Sequence, residues 1–198
     1  MGAQLNNVTL CRTSLSDVTL LPGPGDGASA VTVWSLEMTS PGQVRSGRTP
    51  NSVPELRTAH ADKACTSRDC YAAIGAPWHW VDRADWTLDQ WQAWTDRPDH
   101  HLVTAWRDDA LVGYYELEQQ GNGLVEIAYF GITTGAMGQG LGGWLLTETL
   151  LHAWRLPNTT RVWVHTCSLD APTALANYES RGMTRFNETL EWRLVTPQ

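Results

Sequence analysis

The stretch Val125–Leu151, VEIAYFGITTGAMGQGLGGWLLTETLL, restricts the fold of this chain more than any other. Val125–Ile132 is β-branched and aromatic, which reads as a strand. Thr133–Gly143 holds five glycines in eleven residues and reads as a turn. Leu141–Trp154 then carries Leu141, Trp144, Leu145, Leu151 and Trp154 at helical spacing. Glycines let a backbone approach a ligand closely, and the first turn of a helix offers unpaired N–H groups and the positive end of a dipole. An anion, most often a phosphate, is the guest such a turn accommodates.

The elements around this unit follow from similar signals. Met1–Ala30 is polar, ends in LPGPGDGASA and reads as an irregular arm, so the expected domain is 31–198. Val31–Met38 alternates as a first strand, and Ser40–Pro54 is a loop. Glu55–Ile74 gains helical character in its second half, stopped by Gly75 and Pro77. A second helix begins near Thr87, where Thr87 and Gln90 form a capping-box pattern, and Pro98 ends it. His101–Arg107 and Ala110–Gln119 make a hairpin about Asp108-Asp109, and Gly121-Asn122-Gly123 turns into the central strand. Arg161–Thr166 is a strand, Ala171–Ser180 a short helix closed by Gly182, and Thr184–Val195 one or two final strands. The expected class is α/β (α+β): a mixed, mostly antiparallel sheet with helices.

Three phosphate ligands compete for the glycine turn. Gly138, Gly140 and Gly143 satisfy the letters of a dinucleotide fingerprint, but about 120 residues precede them and only about 55 follow, too few for a doubly wound half. A Walker A loop needs a lysine that is absent here. The third ligand is a coenzyme. Met137-Gly138-Gln139-Gly140-Leu141-Gly142 is similar to the loop Q/R-x-x-G-x-G/A of the GCN5-related N-acetyltransferase (GNAT) superfamily. The preceding strand with its Glu126, and the later Ala174, Tyr178, Gly182 and Met183, resemble further blocks of that family at the right spacing. The resemblance covers Ala110–Val195 strongly. Met137 departs from the usual Arg or Gln, and Ala171 stands where an Asn often holds the pantetheine arm, with Asp170 or Asn177 as substitutes.

The resemblance implies a sheet of about six to seven strands, splayed between the fourth and fifth, with about four helices. It also implies acetyl-CoA (acyl-CoA) as co-substrate and direct attack of an amine on the thioester through a tetrahedral intermediate. Pantetheine would pair with Phe130, Gly131 and Ile132, and the pyrophosphate would sit on the N–H groups from Met137, Gly138, Gln139, Gly140 and Leu141 to Gly142. Asn177 joins that cofactor set. Glu126 is the expected base, placed by alternation on one face with Ala128 and Phe130, and Tyr178 the expected acid. His165 on the neighbouring strand is the rival base. The acceptor is expected against Trp78, Trp80, Asp82, Arg83 and Tyr115, with Tyr114 and Glu116 nearby; aromatics with carboxylates suit a cationic amine.

A net charge of −7 argues against general nucleic-acid binding. The departures at Met137 and Ala171 leave an aminoacyl-tRNA or an acyl carrier protein as alternative donors, with the acidic balance counting mildly against tRNA, and a catalytically silent CoA-binding sensor is a further reading. The acceptor is a small-molecule or amino-terminal amine. No stretch approaches the ~18 apolar residues of a membrane span. Cys11, Cys65, Cys70 and Cys167 lack CxxC spacing, so no metal is expected and the chain reads as reduced and cytoplasmic. Pairing of two copies as a homodimer is left open.

Overall fold

The computed structural model describes residues 28–194, so most of the expected N-terminal arm and the last four residues lie outside the described residues. Asp108 and Asp109 both take positive φ (49° and 60°), which is what a two-residue I′-type hairpin turn demands. They join β3 (His100–Arg107) to β4 (Ala110–Gly121). Gly121, Asn122 and Gly123 are also at positive φ and lead β4 into β5 (Leu124–Ile132). The capping box of Thr87 and Gln90 closes on both sides at the start of α2 (Leu88–Thr95). In α1 (Lys63–Gly75) the buried residues Ala64, Ser67, Cys70, Tyr71 and Ile74 recur every three or four positions and give the helix one inner face.

The remaining elements are β1 (Ala28–Met38), β2 (Glu55–Thr58), α3 (Leu141–Arg155), β6 (Arg161–Cys167), α4 (Ala174–Ser180) and β7 (Thr184–Leu194). The strand β2 is short and lies at the edge, inside a segment whose sequence signal is helical only further on. All seven strands form one sheet in the order β2-β3-β4-β5-β6-β1-β7. Every neighbouring pair is antiparallel except β5 and β6. The first strand of the described chain therefore sits between two of the last ones, a pairing no local pattern encodes. α3, through Leu145 and its neighbours, and α4 cover one face over Leu36, Leu117, Ile127 and Val164. α1 and α2, which meet through Tyr71 and Trp91, cover the other over Tyr114 and Leu102.

One irregularity shapes the centre. Glu116 pairs with Tyr129, but Leu117 pairs with Ile127, so Ala128 is an extra residue in β5. Such a bulge bends its strand and reverses side-chain alternation beyond it. Val125 and Ile127 before the bulge, and Phe130 and Ile132 after it, all pack toward α3. Glu126, Tyr129 and Gly131 face α1 and α2, opposite Glu118, Glu116 and Tyr114. The sequence expectation that Glu126, Ala128 and Phe130 share a face is thus corrected: strict alternation fails at Ala128. Gly131 is required on its side, because a Cβ there would meet Ile74 Cγ2 at 2.4 Å. Among the described residues no helix is long and apolar enough to cross a membrane.

Candidate active site

β5 and β6 pair only from Leu124–Glu126 against Arg161–Trp163. Beyond that point the bulged β5 bends away and the strands part. A cleft of about 1090 Å³ opens between them, with Phe130, Gly131 and Ile132 on one wall and Val164, His165 and Thr166 on the other. The backbone of β5 facing the cleft is left without a strand partner there.

The glycine turn lies at the foot of the cleft. Gly138 and Gly140 take φ of 74° and 76°, a region that side-chain-bearing residues avoid, and a Cβ on either would meet nothing within 4 Å. Gly140 is the N-cap of α3, so the N–H groups of Leu141, Gly142 and Gly143 in its first turn have no intrahelical partners. Met137, Gly138, Gly140, Leu141 and Gly142 all line the cleft. Gln139 does not: its amide donates to the Gly135 carbonyl (2.9 Å) and accepts from Arg107 (2.7 Å). Its side chain braces the turn from outside. Asn177 lines the cleft and donates to the Gly142 carbonyl at 3.3 Å, tying α4 to the start of α3. Asp170 is committed to structure. It accepts from Thr166 Oγ1 (2.6 Å), the Cys167 N–H (2.9 Å) and Trp80 Nε1 (3.4 Å) across the mouth.

Glu126 and His165, read from the sequence as rivals, meet. His165 Nδ1 is 3.2 Å from a Glu126 carboxylate oxygen; the imidazole is 51% exposed and the carboxylate 11%. The Gln120 amide donates to the other Glu126 oxygen, and Trp163 Nε1 donates to the Gln120 carbonyl at 3.0 Å. The Glu126 hydrogen bond holds the His165 pKa above its ordinary value, outweighing the effect of burial. Tyr178 lines the cleft, nearly buried, its ring edge-on to Phe130 at 6.1 Å. Burial, with the Asp170 charge second, pushes its phenol well above the usual range.

An aromatic wall forms the outer end. Trp80 packs on Tyr129 (5.2 Å) and Tyr71 (5.5 Å), and Trp78 stands beside it. Asp82 accepts from the hydroxyls of Tyr71 (2.8 Å) and Tyr129 (2.7 Å). The Arg83 guanidinium lies over Trp94 at 3.7 Å and Trp86 at 4.3 Å. Tyr115 does not belong here, which corrects the sequence expectation. It pairs with Phe130 and shares that residue's face toward α3, where its hydroxyl meets His152 Nδ1 at 3.0 Å. Tyr114 is buried behind Trp80. Glu116 is fully buried and bonded to Ser67 (2.5 Å), Trp94 (2.7 Å) and His100 (2.8 Å). Tyr71, Tyr129 and Gln120 were missed in the sequence. The bulge hides the face of Tyr129, and a glutamine at a strand end carries no motif.

Residues 66–183 match the model of the Acetyltransferase (GNAT) family. No curated protein matches the chain. Solved structures similar to it include a GCN5-related N-acetyltransferase from Kribbella flavida (18% identity, TM-score 0.60, covering 84% of this chain and 59% of that one). Another, from Sphaerobacter thermophilus, has 16% identity and a TM-score of 0.61, covering 86% of this chain and 54% of that one. A Bacillus subtilis acetyltransferase in complex with CoA has 18% identity and a TM-score of 0.50, covering 65% of this chain and 75% of that one. The chain thus spans little more than half the length of the first two. At these identities the likeness is one of fold.

Proposed function

The chain belongs to the acetyltransferase (GNAT) family, and from that premise we propose that it is an N-acyltransferase moving an acetyl group from acetyl-CoA to an amine. The observation that carries the reading is the cleft between β5 and β6 with the glycine turn at its foot. Its residues fit the donor. Open space stands where Gly138 and Gly140 lack a Cβ, unpaired N–H groups start α3, and the free edge of Phe130–Ile132 offers strand-like pairing to a pantetheine arm. The bound thioester supplies an electrophilic carbonyl. The Phe130 region offers an N–H to its oxygen, the Glu126–His165 pair takes the proton of the amine, and Tyr178 protonates the departing sulfur.

The acceptor is a cationic small-molecule or amino-terminal amine. Asp82 and Glu126 line the cleft beside Trp78 and Trp80, and a carboxylate-bearing aromatic wall favours a positive group. A cytoplasmic location goes with this reading; among the described residues Cys65, Cys70 and Cys167 are free thiols. Calorimetric titration with acetyl-CoA, with NAD as control, tests the reading. Micromolar binding of acetyl-CoA alone is the expected result. Absence of acetyl-CoA binding at millimolar concentration would overturn it.

A further inference from the structure

We propose that His165 and Glu126 act as one base, in which Nε2 of His165 takes the proton of the attacking amine while Glu126, held by Gln120 and Trp163, positions the imidazole. The inference rests on the acyl transfer proposed above and assigns the atom that moves the proton.

Four hydrogen-bonding groups in a line fix the assignment. The indole N–H of Trp163 is a donor only, so it must face the carbonyl oxygen of Gln120. The Gln120 amide nitrogen then points at Glu126. An ionised carboxylate only accepts, so Glu126 takes one bond from Gln120 and the other from Nδ1–H of His165. That selects the Nδ1–H tautomer and leaves a lone pair on Nε2. The orientation of a base by a carboxylate through its far ring nitrogen is a general device of proton transfer.

Exposure separates the two candidates. Both Glu126 oxygens are engaged and the side chain is largely buried, whereas half of the imidazole surface is open and lines the cleft. An amine entering the cleft therefore meets the open imidazole edge before the carboxylate behind it. Three charged groups bear on the imidazole. Glu126 from β5 and Asp170 from the loop after β6 favour its protonated form, and Arg193 from β7 disfavours it. The net direction is upward, which strengthens it as a base near neutrality.

The step balances. The amine lone pair forms the C–N bond to the thioester carbonyl carbon as its N–H proton passes to Nε2. The carbonyl pair shifts to oxygen and returns as the C–S bond breaks. The sulfur leaves with that bonding pair and takes a proton from Tyr178. The imidazolium returns its proton to solvent, and the phenolate regains one. The net products are an amide and a thiol.

The test uses the full chain labelled with ¹⁵N, its His165 resonances assigned through His165→Gln. At a pH above the His165 titration, where the ring is neutral, the expected spectrum shows a protonated Nδ1 and an unprotonated Nε2. The His165 titration should move to lower pH in Glu126→Gln, with Tm held to confirm folding. Turnover should fall about 10²–10⁴-fold in His165→Gln, with donor affinity unchanged. The acid limb of its pH–rate profile should vanish, while in Glu126→Gln it survives at lower pH. An Nε2–H tautomer, an unmoved titration in Glu126→Gln, or wild-type turnover in His165→Gln would each overturn the dyad. Failure of acetyl-CoA to bind overturns the proposed function by itself; the tautomer measurement still decides whether Glu126 orients His165.

Discussion

Glu126 and Phe130 lie on one strand at an even spacing, yet they face opposite sides of the sheet: Glu126 pairs with Glu118 toward α1 and α2, and Phe130 packs under α3. The extra residue at Ala128 produces this arrangement and starts the parting of β5 from β6. Deleting Ala128 would return the strand to simple alternation and turn Phe130 and Ile132 out of the α3 core. At about 1.5–3 kcal/mol for each lost apolar side chain, the expected cost is about 3–6 kcal/mol. Thermal melting should show Tm lower by at least roughly 6 °C; an unchanged Tm would mean the bulge is not what holds these two residues inward.

The glycine turn separates ligand binding from folding. Gly140→Val places a β-branched residue at positive φ, a strain of about 1–3 kcal/mol, in space that is otherwise open. Acetyl-CoA affinity should drop about tenfold or more, since about 1.4 kcal/mol is a factor of ten. Gly135→Ala, at ordinary φ and also in open space, should leave affinity untouched. Equal calorimetric affinities for the two variants would contradict the assignment of the turn to the donor.

Gly131 is held by packing rather than by dihedral angle. A Cβ there would lie 2.4 Å from Ile74 Cγ2. Gly131→Ala should therefore cost about 1–3 kcal/mol in urea unfolding. In the double variant with Ile74→Ala the clash disappears, and the two losses should sum to less than their separate values. Additive losses would place the damage elsewhere.

Tyr178→Phe keeps the ring that packs on Phe130 and removes only the hydroxyl. The fold and donor affinity should persist while kcat falls, by about 10²-fold if the phenol supplies the proton to sulfur. Full activity in a thiol-release assay would reduce Tyr178 to packing.

The buried Glu116 makes stability depend on acid. Burial raises its pKa, but bonds from His100, Ser67 and Trp94 outweigh that and hold it below the ordinary value of 4.5. A depressed folded pKa stabilises above the unfolded value and is lost as pH falls through the folded one. The urea midpoint should hold from neutrality down to the ordinary carboxylate range and fall below it. Glu116→Gln should lose about 1–3 kcal/mol at pH 7, because an amide cannot accept at both positions where the buried carboxylate meets Ser67, Trp94 and His100. A similar midpoint for both proteins at pH 7 would remove the network from the account of stability.

The sequence by itself determined what depends on residues close in the chain. The Asp108-Asp109 hairpin, the Thr87–Gln90 cap, the strand–glycine–helix unit and the block ending in Tyr178 each act through turn chemistry, capping bonds or local spacing. Those signals sufficed for a mixed sheet and an anion-binding turn, while the splayed strand pair and the acyl donor came from the family resemblance they carry. Tertiary structure alone decided the rest. Whether β1 lies at an edge or between β6 and β7 depends on pairing across more than a hundred residues. Pairing at such separation leaves no mark in local hydrophobic period. The bulge at Ala128 exists only against the register of β4, so neither the true face of Glu126 nor the exclusion of Tyr115 from the cleft follows from alternation. The contact of Glu126 with His165, and the Gln120–Trp163 support behind it, arise where β4, β5 and β6 converge. Side-chain chemistry is written in the chain one residue at a time, but a proton relay is a set of distances, and folding supplies those.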